Sequence, residues 1–197
     1  MPFPRPAPQP TPRPARRAPH GRARPARLLA FLLPWVLAWA PLARPLPPSL
    51  QRPDGSLSLG TQGVVLQRRP TDCGLAVVAM LAASRGRSLD QGDLAVRAGD
   101  RLGPAGLRLD DVAALAAEVG IQGRWLHARL TDLPALPRPF AAELAPPTPA
   151  APGHLVVVRR LSDRAVLLAD PARGLRGLAL DDFRAAWTGL VFVPEAG

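Results

Sequence analysis

One cysteine occurs in the whole chain, Cys73, in the stretch RRPTDCGLAVVAMLAA, between an acid and a glycine where an apolar helix begins. A thiol in the first turn of a helix meets unsatisfied backbone N–H groups and the positive end of the helix dipole, which favour the nucleophilic thiolate. Gly74 leaves the sulfur's neighbour without a side chain, which gives a substrate backbone room to approach. A lone cysteine cannot close an intramolecular disulfide. It is a nucleophile or, as many free cysteines are, a small apolar group packed in the core.

A cysteine nucleophile needs a base, and the chain has three histidines. His20 lies in a low-complexity tail that cannot hold a catalytic geometry. His127 alternates with Leu126, Ala128 and Leu130 in RWLHARL, which turns it away from the side those residues define. His154 opens the most apolar run, HLVVVRR, directly after the loop PPTPAAPG, and so stands at the rim of a sheet. It is the candidate base, and the competing reading is a histidine that merely caps a strand end. A three-residue loop that pairs Arg160 with Arg164 sets His154 directly opposite Asp170, with Cβ atoms about 5 Å apart. A carboxylate there holds the imidazole's tautomer and stabilises its charged form; a two-residue loop loses the pairing. Asp170 also reads as the first residue of an Asp-Pro turn. Gln67, six residues before Cys73, has a carboxamide N–H suited to an oxyanion, with the Cys73 backbone N–H as the second donor. It equally suits a surface glutamine. Asp72 reads as a helix cap.

These residues need elements to carry them. Leu75, Val78, Ala79 and Ala82 recur at helical spacing, so a helix is predicted from Cys73 to Ala83, ending before Gly86. Ser88-x-x-Gln91 has the capping-box pattern for a second helix that stops near Gly99. Leu109, Val112, Leu115 and Val119 make a third, with Gly120 as its stop. The period then becomes two. Strands are predicted at 124–130, 139–144, 154–160, 165–170 and 175–180, with LSDR turning between the third and fourth. A short helix over 182–187 and a strand over 190–193 complete the chain. Helices first and strands afterwards predict an α+β fold, N-terminal helices packed on a C-terminal antiparallel sheet.

Charge and composition narrow the function. The net charge is +10, yet nine of the 25 arginines fall in residues 1–52, which hold no acid. That leaves 16 basic residues against 15 acidic ones in the remainder, so the basic character belongs to a tail and gives no support to a nucleic-acid-binding core. Residues 1–27 are Pro/Arg/Ala-rich and predict disorder. Residues 28–43, LLAFLLPWVLAWAPLA, are uncharged behind a basic flank, as in a secretory signal. A helix over them spans about 24 Å, short of the roughly 30 Å hydrocarbon core. Export by a signal is the expectation, with an uncleaved anchor as the alternative because Pro41 follows the small pair Ala38 and Ala40. Residues 44–61 read as a linker and 62–197 as the folded domain.

The blocks QRRPTDCGLAVVAM, GHLVVV, LADPARG and FRAAWTGL together resemble the bacteriocin-processing cysteine peptidases, which cut double-glycine leader peptides and usually form the N-terminal domain of an ABC exporter. The resemblance covers about residues 62–194, with its blocks in family order. It implies a papain-like fold, with Cys73 as nucleophile, His154 as base, Asp170 as orienter and Gln67 in the oxyanion hole. It implies no cofactor and no metal, a peptide or leader-bearing protein as substrate, and a separately encoded ABC exporter as a partner. No transporter helices or Walker-type motif follow in this sequence, and the expectation is a free-standing domain. PPTPAAPG is more Pro-rich than the family's usual aromatic and Asn-containing lead-in to the histidine. The export-like segment places the domain in the cell envelope, released or membrane-tethered. The exporter-linked members work in the cytoplasm, which keeps the cytoplasmic face of the membrane as the alternative. A non-cleaving leader-binding domain of the same fold, or an amidase or transpeptidase on the same triad, are the competing functions; the presence of Cys73, His154 and Asp170 together favours cleavage.

Overall fold

The computed structural model describes residues 57–146, 148 and 151–196. The tail, the signal-like segment and most of the linker therefore lie outside the described residues, as does His20. Strand β1 is Leu57–Ser58, followed by helices α1 (Cys73–Ala83), α2 (Gln91–Ala98) and α3 (Leu109–Glu118). Then come β2 (Gly123–His127), β3 (Phe140–Leu144), β4 (His154–Leu161), β5 (Ala165–Asp170), β6 (Gly174–Ala179), helix α4 (Leu180–Ala186) and β7 (Trp187–Pro194). The strands form one antiparallel sheet in the order β1-β6-β5-β4-β3-β7-β2. The α+β prediction holds, and α1, α2 and α3 precede all the strands except the short β1. Among the described residues, no helix is long and apolar enough to cross a membrane.

Both faces of the sheet are covered, which is why VVV in β4 is apolar without alternation. Leu155 and Val157 join Ala141, Ala169 and Phe192 under α1, α2 and α3. Val156 and Val158 point the other way, to Phe140, Leu168, Val191 and Phe183 of α4. Helix α1 is buried from Gly74 through Ala82, as a helix apolar on every side must be. It is the central rod on the first face.

Several local expectations change. Gly74 is not a door for substrate: a Cβ there would stand 3.0 Å from Val112 Cγ2 and 3.4 Å from Leu107 Cβ. The glycine lets α1 pack tightly on α3. Asp72 occupies the N-cap position but its side chain makes no capping bond; its carbonyl accepts from Ala76 N at 3.0 Å. Helix α2 starts later than the Ser88 pattern suggests, because Asp90 caps it by accepting from Gly92 N at 2.6 Å. Helix α4 opens at Leu180, and Trp187 leaves it to begin β7, stacking on Phe183 at 5.7 Å between ring centroids. The sheet also reaches into the linker stretch, where Leu57 and Ser58 pair with Gly177 and Arg176 of β6.

The β4–β5 hairpin departs most usefully. Arg160 pairs with Leu167, not Arg164, and Leu161 pairs with Val166. The turn is longer than predicted because Ser162 closes it: its backbone N–H donates to Ala165 O at 2.9 Å and its Oγ accepts from Ala165 N at 3.0 Å. A bulge at Arg159 then shifts the register, so that Val158 pairs with Leu168 and Val157 with Ala169. Carried on, this register puts Asp170 beside Val156, two residues from His154 and on its face of the sheet. The two are diagonal neighbours, within reach of long side chains. Without the bulge, Asp170 would lie beside Val157 and face away from His154, since a one-residue slip reverses every side chain.

Candidate active site

The site forms where α1 begins, β4 begins and β5 ends. The loop before α1 is pinned by Gly106: its φ is +91°, and a Cβ would meet Thr71 O at 2.4 Å. Only glycine fits so close a backbone approach. Cys73 follows two residues later, half-buried and with a free thiol. His154, the first residue of β4, hydrogen-bonds the sulfur, and the backbone N–H groups of Leu155 and Gly74 donate to it as well. Its Nε2 stands 2.8 Å from Asp170 Oδ1, which leaves Nδ1 for the thiol.

Asp170 is 1% exposed and fully engaged. Besides His154, Oδ1 accepts from Ala172 N at 2.8 Å, and Oδ2 accepts from Arg176 Nη1 at 2.9 Å. The turn after β5 is an Asp-Pro turn, and its aspartate also holds His154. Arg173 N–H donates to Asp170 O at 3.1 Å, and Gly174 closes the turn at φ +87°.

The electrostatics follow from this geometry. Burial pushes the Cys73 thiol up, but the His154 hydrogen bond, the Leu155 and Gly74 N–H groups and the imidazole's charge outweigh it, so the thiol titrates below its usual range. Burial pushes His154 down, and the bonds and charges of Asp170 and Cys73 reverse this, raising it to about 9. Asp170 is likewise pushed up by burial, then drawn down to about 2 by His154, Arg176 and the Ala172 N–H. These contacts all favour the charged forms: thiolate on Cys73, imidazolium on His154 and carboxylate on Asp170.

Gln67 is held beside this group by its backbone, whose N–H donates to Pro171 O at 2.9 Å. One carboxamide N–H is committed to Pro70 O at 2.9 Å. That bond fixes the amide's orientation, since a flip would set oxygen against oxygen. Its second N–H remains to donate, while Oε1 is buried without a partner. His127, by contrast, is exposed at the end of β2, far in the topology from β4 and with no part in this cluster.

Two residues have roles not assigned from the sequence, Gln91 having read only as part of a capping box. Gln91, the first residue of α2, is buried and donates from Nε2 to Leu66 O at 2.6 Å, anchoring the residue before Gln67. Arg176 is 4% exposed. Its signal was present: in GLRGLA it shares the strand phase of Leu178, an arginine at an inward position. A cleft of about 560 Å³ opens on this side, bounded by Leu144, His154, Asp170, Arg173, Arg176 and Leu178 among others.

Residues 61–197 match the family model of the peptidase C39 family. The probable microcin-H47 secretion/processing ATP-binding protein MchF of Escherichia coli is 28% identical over 127 residues, 64% of this chain but 17% of that protein's length. An uncharacterized protein of Methanothermobacter thermautotrophicus is 29% identical over 140 residues, 71% of this chain and 93% of that one. The peptidase domain of Streptococcus ComA, a bifunctional ABC transporter involved in quorum sensing, superposes with a TM-score of 0.61 at 22% identity, covering 68% of this chain and 98% of that domain. A double-glycine-motif protease from an AMS/PCAT transporter, solved with its leader peptide, gives 0.60 at 19% identity over 68% and 91%.

Proposed function

The chain belongs to the peptidase C39 family, a family of cysteine peptidases, and from that premise we propose that it hydrolyses a peptide bond after a Gly-Gly-type leader. The observation that carries the proposal is the unbroken chain of contacts from Cys73 through His154 to Asp170. The Cys73 thiolate attacks the scissile carbonyl carbon; a C–S bond forms and the carbonyl electrons move onto oxygen. That oxyanion accepts from the Cys73 backbone N–H, one of the helix's unsatisfied first donors, and from the second N–H of Gln67. The imidazolium Nδ1–H protonates the leaving nitrogen, the C–N bond breaks, and the acyl group stays on sulfur. Water then attacks the thioester and gives one proton to Nδ1. The C–S bond breaks, the thiolate–imidazolium pair returns, and the acid loses its other proton to solvent. Asp170 keeps its negative charge throughout, holding the ring and its charged form.

The substrate in this reading is a leader-bearing peptide, delivered in concert with a separately encoded ABC exporter. The chain spans only 17% of the Escherichia coli secretion/processing proteins it resembles, so these partners rest on likeness of one domain. The location we favour is the cell envelope, with residues 28–43 as signal or tether, and the cytoplasmic face of the membrane as the alternative. The decisive experiment combines a thiol-reactive peptide probe ending in Gly-Gly with mass analysis of a leader-bearing substrate. Wild type should be labelled and should cut after the second glycine, and Cys73→Ala should do neither. Labelling without any cleavage of varied peptide substrates would leave a binding domain instead.

A further inference from the structure

Asp170 presents a problem that His154 alone does not solve. A carboxylate has about four acceptor positions on two oxygens, and His154 Nε2 and Ala172 N both fall on Oδ1. Oδ2 is buried too, and its partner in the structure is Arg176 Nη1 at 2.9 Å. Remove that guanidinium and an anionic oxygen is left in the interior without its donor, a costly state that protonation or rotation relieves. The terminal torsion of an aspartate is broad, so the Ala172 N–H on Oδ1 and the guanidinium on Oδ2 together set how Oδ1 is aimed.

The charges make the same point. Thiolate, imidazolium and carboxylate sum to one negative charge in a largely buried group; one buried guanidinium brings the sum to zero. Arginine suits this task, being always charged and presenting its N–H groups in a rigid plane.

We propose that Arg176 is a positioning residue of the site, which holds Asp170 ionised and aimed at His154 and acts on the chemistry through that carboxylate alone. The proposal rests on the peptidase reading for its kinetic arm only. The charged and titratable groups around Asp170 are His154 from β4, Cys73 from α1 through that histidine, Arg173 from the β5–β6 turn, and Asp182 from α4, which lines the same cleft. Among the described residues that line this cleft, Asp182 is the further acid and Arg173 the further base.

The first test needs no substrate. Cys73 is the only thiol in the chain, so the pH dependence of its alkylation by iodoacetamide reports on the site without ambiguity. Arg176→Gln raises the Asp170 pKa; a neutral carboxyl no longer supports the imidazolium, and the imidazolium no longer supports the thiolate. The midpoint should therefore rise by about one unit. A positive charge acting directly on the thiolate would also raise the midpoint when lost, so the variant is repeated in an Asp170→Asn background, where action through the carboxylate predicts no further rise. A fall or no change in the otherwise wild-type protein, or an equal rise in the Asp170→Asn background, overturns the proposal.

The second test is a cycle on a leader-type peptide, scored per folded protein recovered by size-exclusion chromatography so that misfolded protein does not count. Arg176→Gln should lower kcat by roughly 10–100-fold with KM changed less than about twofold, and Arg176→Lys should recover part of it. Against an Asp170→Asn background, Arg176→Gln should cost less than about threefold more, because the route through the carboxylate is already cut. That double variant carries no unpaired charge, so it tests the idea even where Arg176→Gln alone folds poorly. A further tenfold loss in the double variant refutes action through Asp170. A wild-type alkylation midpoint near the ordinary thiol value of about 8.5 would instead sink the ion pair and the peptidase reading with it.

Discussion

The imidazole of His154 offers the sharpest measurement. Its pKa is raised from 6.5 to about 9, a gap of about 2.5 units. At about 1.4 kcal/mol per unit this is about 3 kcal/mol in favour of the imidazolium, or several-hundred-fold. Burial works against it, so the lift comes from Asp170 first and then from Cys73. Asp170→Asn keeps a carbonyl oxygen that can accept from Nε2–H but removes the charge. The histidine should then titrate at least one unit lower, with burial free to act. The assay is NMR of ring-labelled histidine across pH 5–10, with the His154 signal assigned by its loss in a His154→Ala variant. Because thiol and imidazole titrate together, Cys73→Ala is measured alongside and should produce a smaller drop. The stability consequence has a definite sign. A raised histidine contributes fully below its unfolded value of 6.5, and that contribution is lost as pH rises through about 9. Asp170, lowered from 3.8 to about 2, contributes above 3.8 and loses this as pH falls through about 2. A wild-type midpoint near 6.5, or one unmoved by Asp170→Asn, refutes the coupled triad.

Gln67→Ala should reduce kcat by roughly 10²–10³-fold with KM nearly unchanged; steady-state kinetics showing only a raised KM would reassign the amide to substrate contact. Gly74→Ala should destabilise the fold by about 1–3 kcal/mol in denaturant unfolding, because its Cβ would press on Val112 at 3.0 Å; an unchanged unfolding midpoint would mean α1 and α3 separate easily. Asp163→Asn, in the exposed hairpin turn, should leave turnover within about twofold of wild type, in contrast to the 10–10⁴-fold loss expected of Asp170→Asn. A reporter active only outside the cytoplasm, fused after Gly197, should be active and should lose activity when residues 1–43 are deleted; activity confined to a cytoplasmic reporter would place the domain on the inner side.

Cys73 and His154 were legible as candidates because each marks an element boundary. Cys73 starts an apolar helix and His154 an apolar strand, and each boundary shows as an abrupt change from a polar or Pro-rich loop to an apolar run. The carboxylate was reached by a register that the structure does not have. The pattern of β4 and β5 holds no record of how Ser162 closes their turn. Nor does it show why Arg159 bulges: the guanidinium of Arg159 bonds the carbonyl of Gly63, almost a hundred residues earlier. What survives a wrong register is parity. The predicted and observed pairings differ by two residues at Asp170, and an even slip keeps His154 and Asp170 on one face. The longer turn alone would have been an odd slip, and the bulge at Arg159 makes it even again. Arg176 escaped for a related reason: an inward arginine looks like an error of phase until a buried carboxylate is known to lie beside it. The meeting of Cys73, His154 and Asp170 thus depends on a bulge five residues beyond His154 and a guanidinium behind Asp170, both held by contacts between segments that no local pattern brings together.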